Sequence, residues 1–177
     1  HGKSYEAVYG REHPPGYRQV YESVGTNLRL TEMQSALGRV ALHHLDADVG
    51  RRRQHAARLS AAFEALPALR VTRPPGYVNH SYYKYYAFVR PENLRNGWDR
   101  DRIMAAIEAE GVPCYAGSCS EIYLEKAFAG FRPPGRLPIA KELGETSLML
   151  LVHPTLSDAD VGDMIAAVRK VIEHAST

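Results

Sequence analysis

The sequence predicts a chain in two parts. A helical N-terminal piece is followed by a small α/β domain, in which a few strands carry helices packed on a sheet. Three stretches predict it. The first is a helix opened by Thr31 and Gln34, a capping-box pair three residues apart, with Met33, Leu37, Val40, Ala41 and Leu45 falling at helical spacing. The second is the alternating run from Tyr82 to Val89, which reads as a strand. The third is the stripe Val161, Met164, Ile165, Val168, Val171 and Ile172 behind Ser157, which reads as a buried helix face. Pro67 closes the helical part, so the division falls between residues 1–66 and 67–177.

In order, residues 1–24 read as a loop-rich arm. Gly10, Pro14, Pro15 and Gly16 punctuate it, and Tyr5, Tyr9, Tyr17 and Tyr21 are interleaved. Such a segment is too polar to build a core and must lie on another surface. The capped helix is expected to end near Leu45, with Asp46 capping a second helix striped by Ala56, Leu59, Phe63 and Leu66. Pro74-Pro75-Gly76 breaks the chain before the strand 82–89, where Tyr83, Tyr85, Ala87 and Val89 share one face. Asp99 or Asp101 can cap a helix through Met104 and Ile107, closed by Gly111. Val112–Ala116 reads as a short strand, and Ser120 can cap a short helix carrying Leu124 and Phe128. Pro138 suits the first turn of another helix, Ser147–Val152 reads as a buried strand, and Ser157 opens the last helix.

Composition narrows the function classes. Hydrophobic residues make up 45% and charged residues 24%, ordinary globular values, and the net charge of +2 is too small to favour nucleic acid or an anionic membrane. The triplet Arg51-Arg52-Arg53 reads as a solvated helix face. No apolar run approaches the length of a membrane span. Cys114 and Cys119 are too few for a disulfide framework and fit a reducing cytoplasm. As a metal pair they lack a His-x3-5-His partner, and adjacent His43 and His44 point to different helix faces, so no metal is expected. The chain begins at His1, which reads as a fragment or processed piece.

The candidate binding residues lie just ahead of the first helix. In Gly25-Thr26-Asn27-Leu28-Arg29, Asn27 offers an amide that donates and accepts, and Arg29 a fork of donors, both suited to an anion such as a phosphate. The plainer alternative is that they shape a turn and balance surface charge.

Gly25-Thr26-Asn27-Leu28-Arg29-Leu30-Thr31-Glu32-Met33-Gln34, followed by Ala36-Leu37-Gly38, resembles the signature of the DegT/StrS-type aminotransferases. His1-Gly2-Lys3-Ser4-Tyr5 is similar to the family segment that follows its cofactor lysine, and Gly117–Phe128 to a loop and helix of its C-terminal domain. The resemblance implies a fold-type I architecture: residues 1–66 as the arm and helices ending a large pyridoxal-phosphate domain, and 67–177 as a small C-terminal α/β domain with a short, mainly antiparallel sheet. It implies pyridoxal 5'-phosphate as cofactor, a nucleotide-linked keto-sugar as substrate, glutamate as the amino donor, and a homodimer or higher homo-oligomer. Asn27 would reach the cofactor phosphate of the neighbouring subunit, and Arg29 matches the family arginine. The loop after Gly111 departs from many members, which carry an aromatic-His segment where this chain has Cys114-Tyr115-Ala116-Gly117-Ser118-Cys119.

The resemblance places the cofactor-bearing lysine upstream of His1, so no catalytic residue is expected in this chain and the chain alone is expected to be inactive. Lys3, Lys126, Lys141 and Lys170 read as loop or exposed helix residues. Lys84, set among tyrosines, reads as a strand lysine whose stem packs on rings while its head reaches water. Two other functions fit the same residues: a sugar dehydratase of the same fold, with His in place of the lysine, and a non-enzymatic dimerisation module.

Overall fold

The computed structural model describes residues 4–10 and 28–177. Two compact units are distinguished, 1–44 and 45–177. The described residues of the first unit contain a short helix, α1 (Tyr5–Tyr9), in which the Tyr5 and Tyr9 rings lie 5.0 Å apart. The arm expected to be loop is therefore helical over that turn, the two tyrosines meeting at i, i+4. The rest of the arm, residues 1–3 and 11–24, and residues 25–27 after it lie outside the described residues.

The second helix, α2, runs without interruption over Glu32–Phe63. The sequence suggested two helices meeting at Asp46. Asp46 instead sits inside α2, because Leu45-Asp46-Ala47-Asp48 contains no proline and Gly50 alone does not end a helix. The predicted opening is present: Gln34 N–H donates to Thr31 Oγ1 at 3.2 Å, and Thr31 N–H donates to the Gln34 side-chain oxygen at 3.0 Å.

In the second unit, β1 (Leu69–Val71), β2 (Tyr85–Val89), β3 (Cys114–Tyr115) and β4 (Ser147–Leu150) form one sheet in the order β1-β2-β4-β3. Every pairing is antiparallel, with Leu69 opposite Val89, Tyr86 opposite Met149 and Cys114 opposite Leu150. Tyr85, Ala87 and Val89 alternate into the core as the sequence predicted, while Tyr83, expected on the same face, is 76% exposed. β1 was not anticipated: three residues show too little alternation to be read as a strand. The core face of the sheet packs with Ala56, Leu59 and Phe63 of α2, Ile103 and Ile107 of α3 (Arg100–Ala109), and the stripe of α5 (Asp158–Ala175). On the other face, Arg70 lies 4.3 Å from the Phe88 ring centroid and reaches Glu142 of α4 (Pro138–Thr146) at 3.8 Å.

The caps of this unit follow the sequence closely. Asp99 accepts from the Arg102 N–H to open α3, and Ser157 and Asp160 form a full capping box on α5. Gly111, at φ +85, lets the chain leave α3 in the left-handed conformation. Gly117 has a further reason to be glycine: at φ +86, a Cβ there would lie 2.4 Å from the Tyr86 ring. The helix expected after Ser120 is instead two short 3-10 stretches, Ile122–Leu124 and Lys126–Phe131, neither capped by a side chain. Without a cap or a buried face, that segment has little to stabilise a full α-helix.

Candidate functional site

Of the residues the sequence nominates for cofactor phosphate, Asn27 lies outside the described residues. Arg29 lies in the irregular stretch just ahead of α2 and is exposed. The helix behind it keeps its apolar face open: Met33 is 77% exposed, Leu37 68% and Val40 59%.

All the described lysines belong to the second unit. Lys126, Lys141 and Lys170 are exposed, and Lys170 is bound to Glu110 at 2.8 Å. Lys84 is half-buried at the start of β2, its ammonium 5.4 Å from the Tyr83 ring centroid. The ammonium thus lies over a ring, where the sequence reading expects the stem to pack on rings and the head to reach water.

The most built feature of the second unit lies where the β1–β2 loop crosses α2, and the sequence reading missed it. Arg51, Arg52 and Arg53 do not form a solvated face. Successive helical residues point about 100° apart, so the three side chains diverge to three destinations. Arg51 reaches Asp158 at 3.1 Å and the Leu156 carbonyl at 3.4 Å. Arg52 donates to the Tyr83 carbonyl at 3.1 Å, and Arg53 Nε to the His80 carbonyl at 2.9 Å. The loop is further fixed by Tyr82 N–H donating to His80 Nδ1 at 3.0 Å, with the two rings edge to face. Tyr82 sits at φ 49, the left-handed region a tyrosine rarely adopts. Such a conformation persists where surroundings hold it, here through the two arginines. It also corrects the strand boundary: the extended chain begins at Tyr85 and not at Tyr82.

Between this loop and α2 lies a cleft of about 400 Å³ whose lining includes Arg53, Ser60, Arg73, Pro75, Asn79 and Tyr82. Its deepest polar group is Ser60, 4% exposed, whose hydroxyl is 3.1 Å from that of Tyr85, itself 1% exposed. Burial pushes the Tyr85 phenol above its ordinary range, so it stays neutral. Arg73 gives its Nε to Glu64 at 2.5 Å. A neighbouring cavity of about 240 Å³ shares Arg73, His80 and Tyr82 and is bounded on its other side by Lys84 and Tyr86.

A second polar cluster holds the segment between β3 and α4. Arg136 grips the Glu121 carboxylate with two nitrogens and reaches Glu145 at 3.0 Å. Tyr123 donates to Glu121 at 2.7 Å and accepts from the Leu137 N–H at 2.9 Å. The Arg136 hydrogen bonds, followed by that from Tyr123, draw the Glu121 carboxyl down to about 2. Cys114 is buried in β3, its thiol pushed up to about 12 chiefly by burial, while Cys119 is exposed in the loop. Among the described residues no three His, Cys, Asp or Glu side chains are grouped as a metal site would need. None of the described helices is long and apolar enough to cross a membrane.

Comparison with known proteins places this chain. The family model of the DegT/DnrJ/EryC1/StrS aminotransferases matches residues 6–169. A dTDP-3-amino-3,4,6-trideoxy-alpha-D-glucose transaminase from Streptomyces venezuelae is 35% identical over 165 residues, covering 90% of this chain and 41% of the relative. The X-ray structure of an aminotransferase from Psychrobacter cryohalolentis superposes with a TM-score of 0.83 at 47% identity, covering 99% of this chain and 47% of that one. Streptomyces venezuelae DesV, solved in complex with a ketimine intermediate, superposes with a TM-score of 0.76 at 28% identity, covering 93% of this chain and 42% of that one. The chain thus spans less than half the length of these relatives, and its architecture is that of the C-terminal part of a fold-type I aminotransferase. With the family pattern running through nearly all of its length, the chain belongs to the DegT/DnrJ/EryC1/StrS aminotransferases.

Proposed function

We propose that this chain is the C-terminal part of a pyridoxal-phosphate-dependent aminotransferase that moves the amino group of glutamate onto a keto-sugar carried by a nucleotide. The observation that carries the reading is the family match over residues 6–169, together with a relative whose name is that of a dTDP-amino-sugar transaminase. A spore coat polysaccharide biosynthesis protein of Bacillus subtilis, 29% identical over 99% of this chain, supports a role in polysaccharide or sugar-nucleotide biosynthesis. On this reading the enzyme works in the cytoplasm. Residues 1–66 come from the end of the large cofactor domain and 67–177 form the small domain.

The described residues suit a cofactor phosphate in kind. Arg29 offers a guanidinium immediately ahead of a helix of 32 residues, where the aligned peptide dipoles favour an anion. The capping box uses the N–H groups of Thr31 and Gln34, and the first-turn N–H groups of Glu32 and Met33 add to the donors that Asn27 and Arg29 are proposed to supply. Bound, pyridoxal phosphate supplies a carbonyl that condenses with amines and a ring that takes up electron density. The role of this chain is to hold and orient: Asn27 and Arg29 grip the phosphate of the neighbouring subunit. In the intact protein Asn27→Ala should weaken cofactor retention about tenfold, the loss of one hydrogen bond to a charged group. Unchanged retention would overturn that role.

The exposed face of Met33, Leu37 and Val40 suits burial in a two-fold dimer or larger homo-oligomer. A compact monomer of the intact protein in sedimentation would exclude it. The chain alone is proposed to be inactive, because among the described residues Lys84 has no carboxylate bound to it and the other described lysines are exposed or paired. Mixed with pyridoxal phosphate and glutamate, it should release no keto-acid. Turnover abolished by Lys84→Ala would place the catalytic lysine here and refute the proposal.

A further inference from the structure

We propose that the cleft between α2 and the β1–β2 loop binds an organic phosphate, with Arg53 and Arg73 holding the phosphate oxygens and the Ser60 hydroxyl facing the ligand from the floor. The inference rests on the proposed function only for its source, since a nucleotide-linked sugar supplies such a group; the geometry stands without it.

Several observations converge. The cleft, at about 400 Å³, falls within the range of small-molecule sites, on the order of 300–1,000 Å³. Both arginines on its wall are fixed through Nε, Arg53 by the His80 carbonyl and Arg73 by Glu64, and neither has a further hydrogen bond from its terminal nitrogens among the described residues. A guanidinium anchored by Nε and open at its other end is preorganised for the paired bonds that phosphate oxygens accept. Glu64 offsets one positive charge but does not line the cleft, so the lining keeps two guanidinium groups and no carboxylate.

The floor is equally prepared. Ser60 is nearly fully buried yet reaches the cleft, and its bond to Tyr85 fixes the hydroxyl's position. A serine oxygen has more hydrogen-bonding capacity than this one contact uses. The roof is rigid. Pro74 and Pro75 restrict the backbone, Val78 N–H donates to the Pro75 carbonyl at 2.8 Å, and Tyr82 is held in its left-handed conformation by the contacts already described. Pro75, Val78 and Tyr82 add apolar surface beside the cations, which suits a phosphate attached to a carbon-bearing group more than a bare ion.

Calorimetric titration of the 177-residue chain with dTDP, UDP, inorganic pyrophosphate and uncharged thymidine tests this. Saturable binding of the two nucleotides, with thymidine silent, is expected. Pyrophosphate binding as tightly as dTDP would place the recognition wholly on the phosphates and identify a free phosphate as an equal source. Binding of pyrophosphate at least tenfold weaker than dTDP would assign the source to the nucleotide.

Arg53→Gln and Arg73→Gln should each weaken binding about tenfold, the effect of one charge-assisted contact. Ala57→Phe, on the exposed helix surface that also lines the cleft, fills it while leaving both arginines in the sequence and should abolish binding even if an arginine variant fails to fold. No binding of any phosphate, or binding unchanged in Ala57→Phe, overturns the site. Neither outcome touches the proposed aminotransferase, which is tested separately by amino transfer in the intact protein.

Discussion

Two helices of this chain look alike in sequence and sit in opposite environments. The first half of α2 and the whole of α5 each begin with a capping box, Thr31 with Gln34 and Ser157 with Asp160, and each carries an apolar stripe at helical spacing. On α5 the stripe is inside: Val161, Val168 and Ile172 are no more than 1% exposed. On α2 the residues Met33, Leu37 and Val40 stand in the open. Periodicity tells which face of a helix is apolar, but not what covers it. α5 finds its cover within the same 133 residues of the second unit, while the first half of α2 has none among the described residues.

The sharpest break of this comparison is by truncation. Phe63, fully buried at the end of α2, should cost about 3–5 kcal/mol when changed to Ala, because the cavity cannot collapse between sheet and helices. Leu37→Ala, on the exposed half of the same helix, should move the stability of the isolated chain by no more than about 0.5 kcal/mol. Denaturant midpoints measured on both variants check this. A comparable loss at Leu37 would mean that the open face is covered in solution.

The two capping boxes give the next largest contrast. Ser157→Ala should cost about 0.5–2 kcal/mol of global stability, since α5 is part of the core and its first turn cannot fray without exposing Val161. Thr31→Ala removes the same interaction but should appear only as faster amide exchange over the first turn of α2. Equal effects on the global midpoint would show that α2 unfolds together with the second unit from its first residue.

Most of the second unit was legible because its signals are local. Asp99, Gly111, Pro138 and Ser157 each act within one turn of their own position, and each marks an element boundary that the structure keeps. Tyr85, Ala87 and Val89 announce their face by alternation. What could not be read is what depends on distant partners. β1 is a strand because Leu69 meets Val89, not because its three residues favour extension. Arg52 and Arg53 looked like surface charge because their acceptors, the carbonyls of Tyr83 and His80, carry no side-chain signal. The spacing did hold a clue, since three adjacent residues on a helix cannot share one face. The boundary at Tyr82 was misread for a related reason: alternation continues through it in sequence, and only the loop clasp turns it left-handed.

A smaller effect separates the two halves of α2 by pH. His55 is fully buried in the second half, and among the described residues neither ring nitrogen has a partner at full hydrogen-bond geometry. The Leu156 carbonyl nearby accepts from Arg51, and Arg51 and Arg58 both bind Asp158. Burial, and then the Arg51 charge with a lesser push from Arg58, lowers the His55 pKa from 6.5, against a weaker opposing pull from Asp158. The unfolded chain then binds the proton more readily than the folded one. The stability this group contributes is complete above 6.5 and is lost as pH falls below it, until the folded-state pKa is passed. His55→Leu should flatten that slope in denaturant titrations on either side of 6.5. A slope unchanged by the substitution would assign the acid sensitivity elsewhere.

The smallest effect is expected at Glu121, where the same linkage acts on a surface clasp and not on the core. Its carboxylate joins Arg136 and Tyr123, and Tyr123 in turn accepts the Leu137 N–H that leads into α4. Arg132 adds a bond of 3.1 Å to the Tyr123 carbonyl, so the 3-10 segment is tied at both ends. Because the folded-state value is depressed from 4.5 to about 2, the contribution is full above 4.5 and disappears as pH falls toward 2. The Arg136 side chain is 44% exposed and that of Glu121 11%, and none of these side chains belongs to the hydrophobic core, so the effect is expected to stay local. Glu121→Gln keeps the shape but removes the charge, so at neutral pH it should reproduce locally what acid does to the unsubstituted chain. Amide exchange should accelerate at Leu124, Glu125 and Leu137 and stay constant in β2 and α5. Exchange rising equally in α5 would mean that the clasp supports the core itself, and the distinction between a fixed interior and a pinned surface loop would fail at this point.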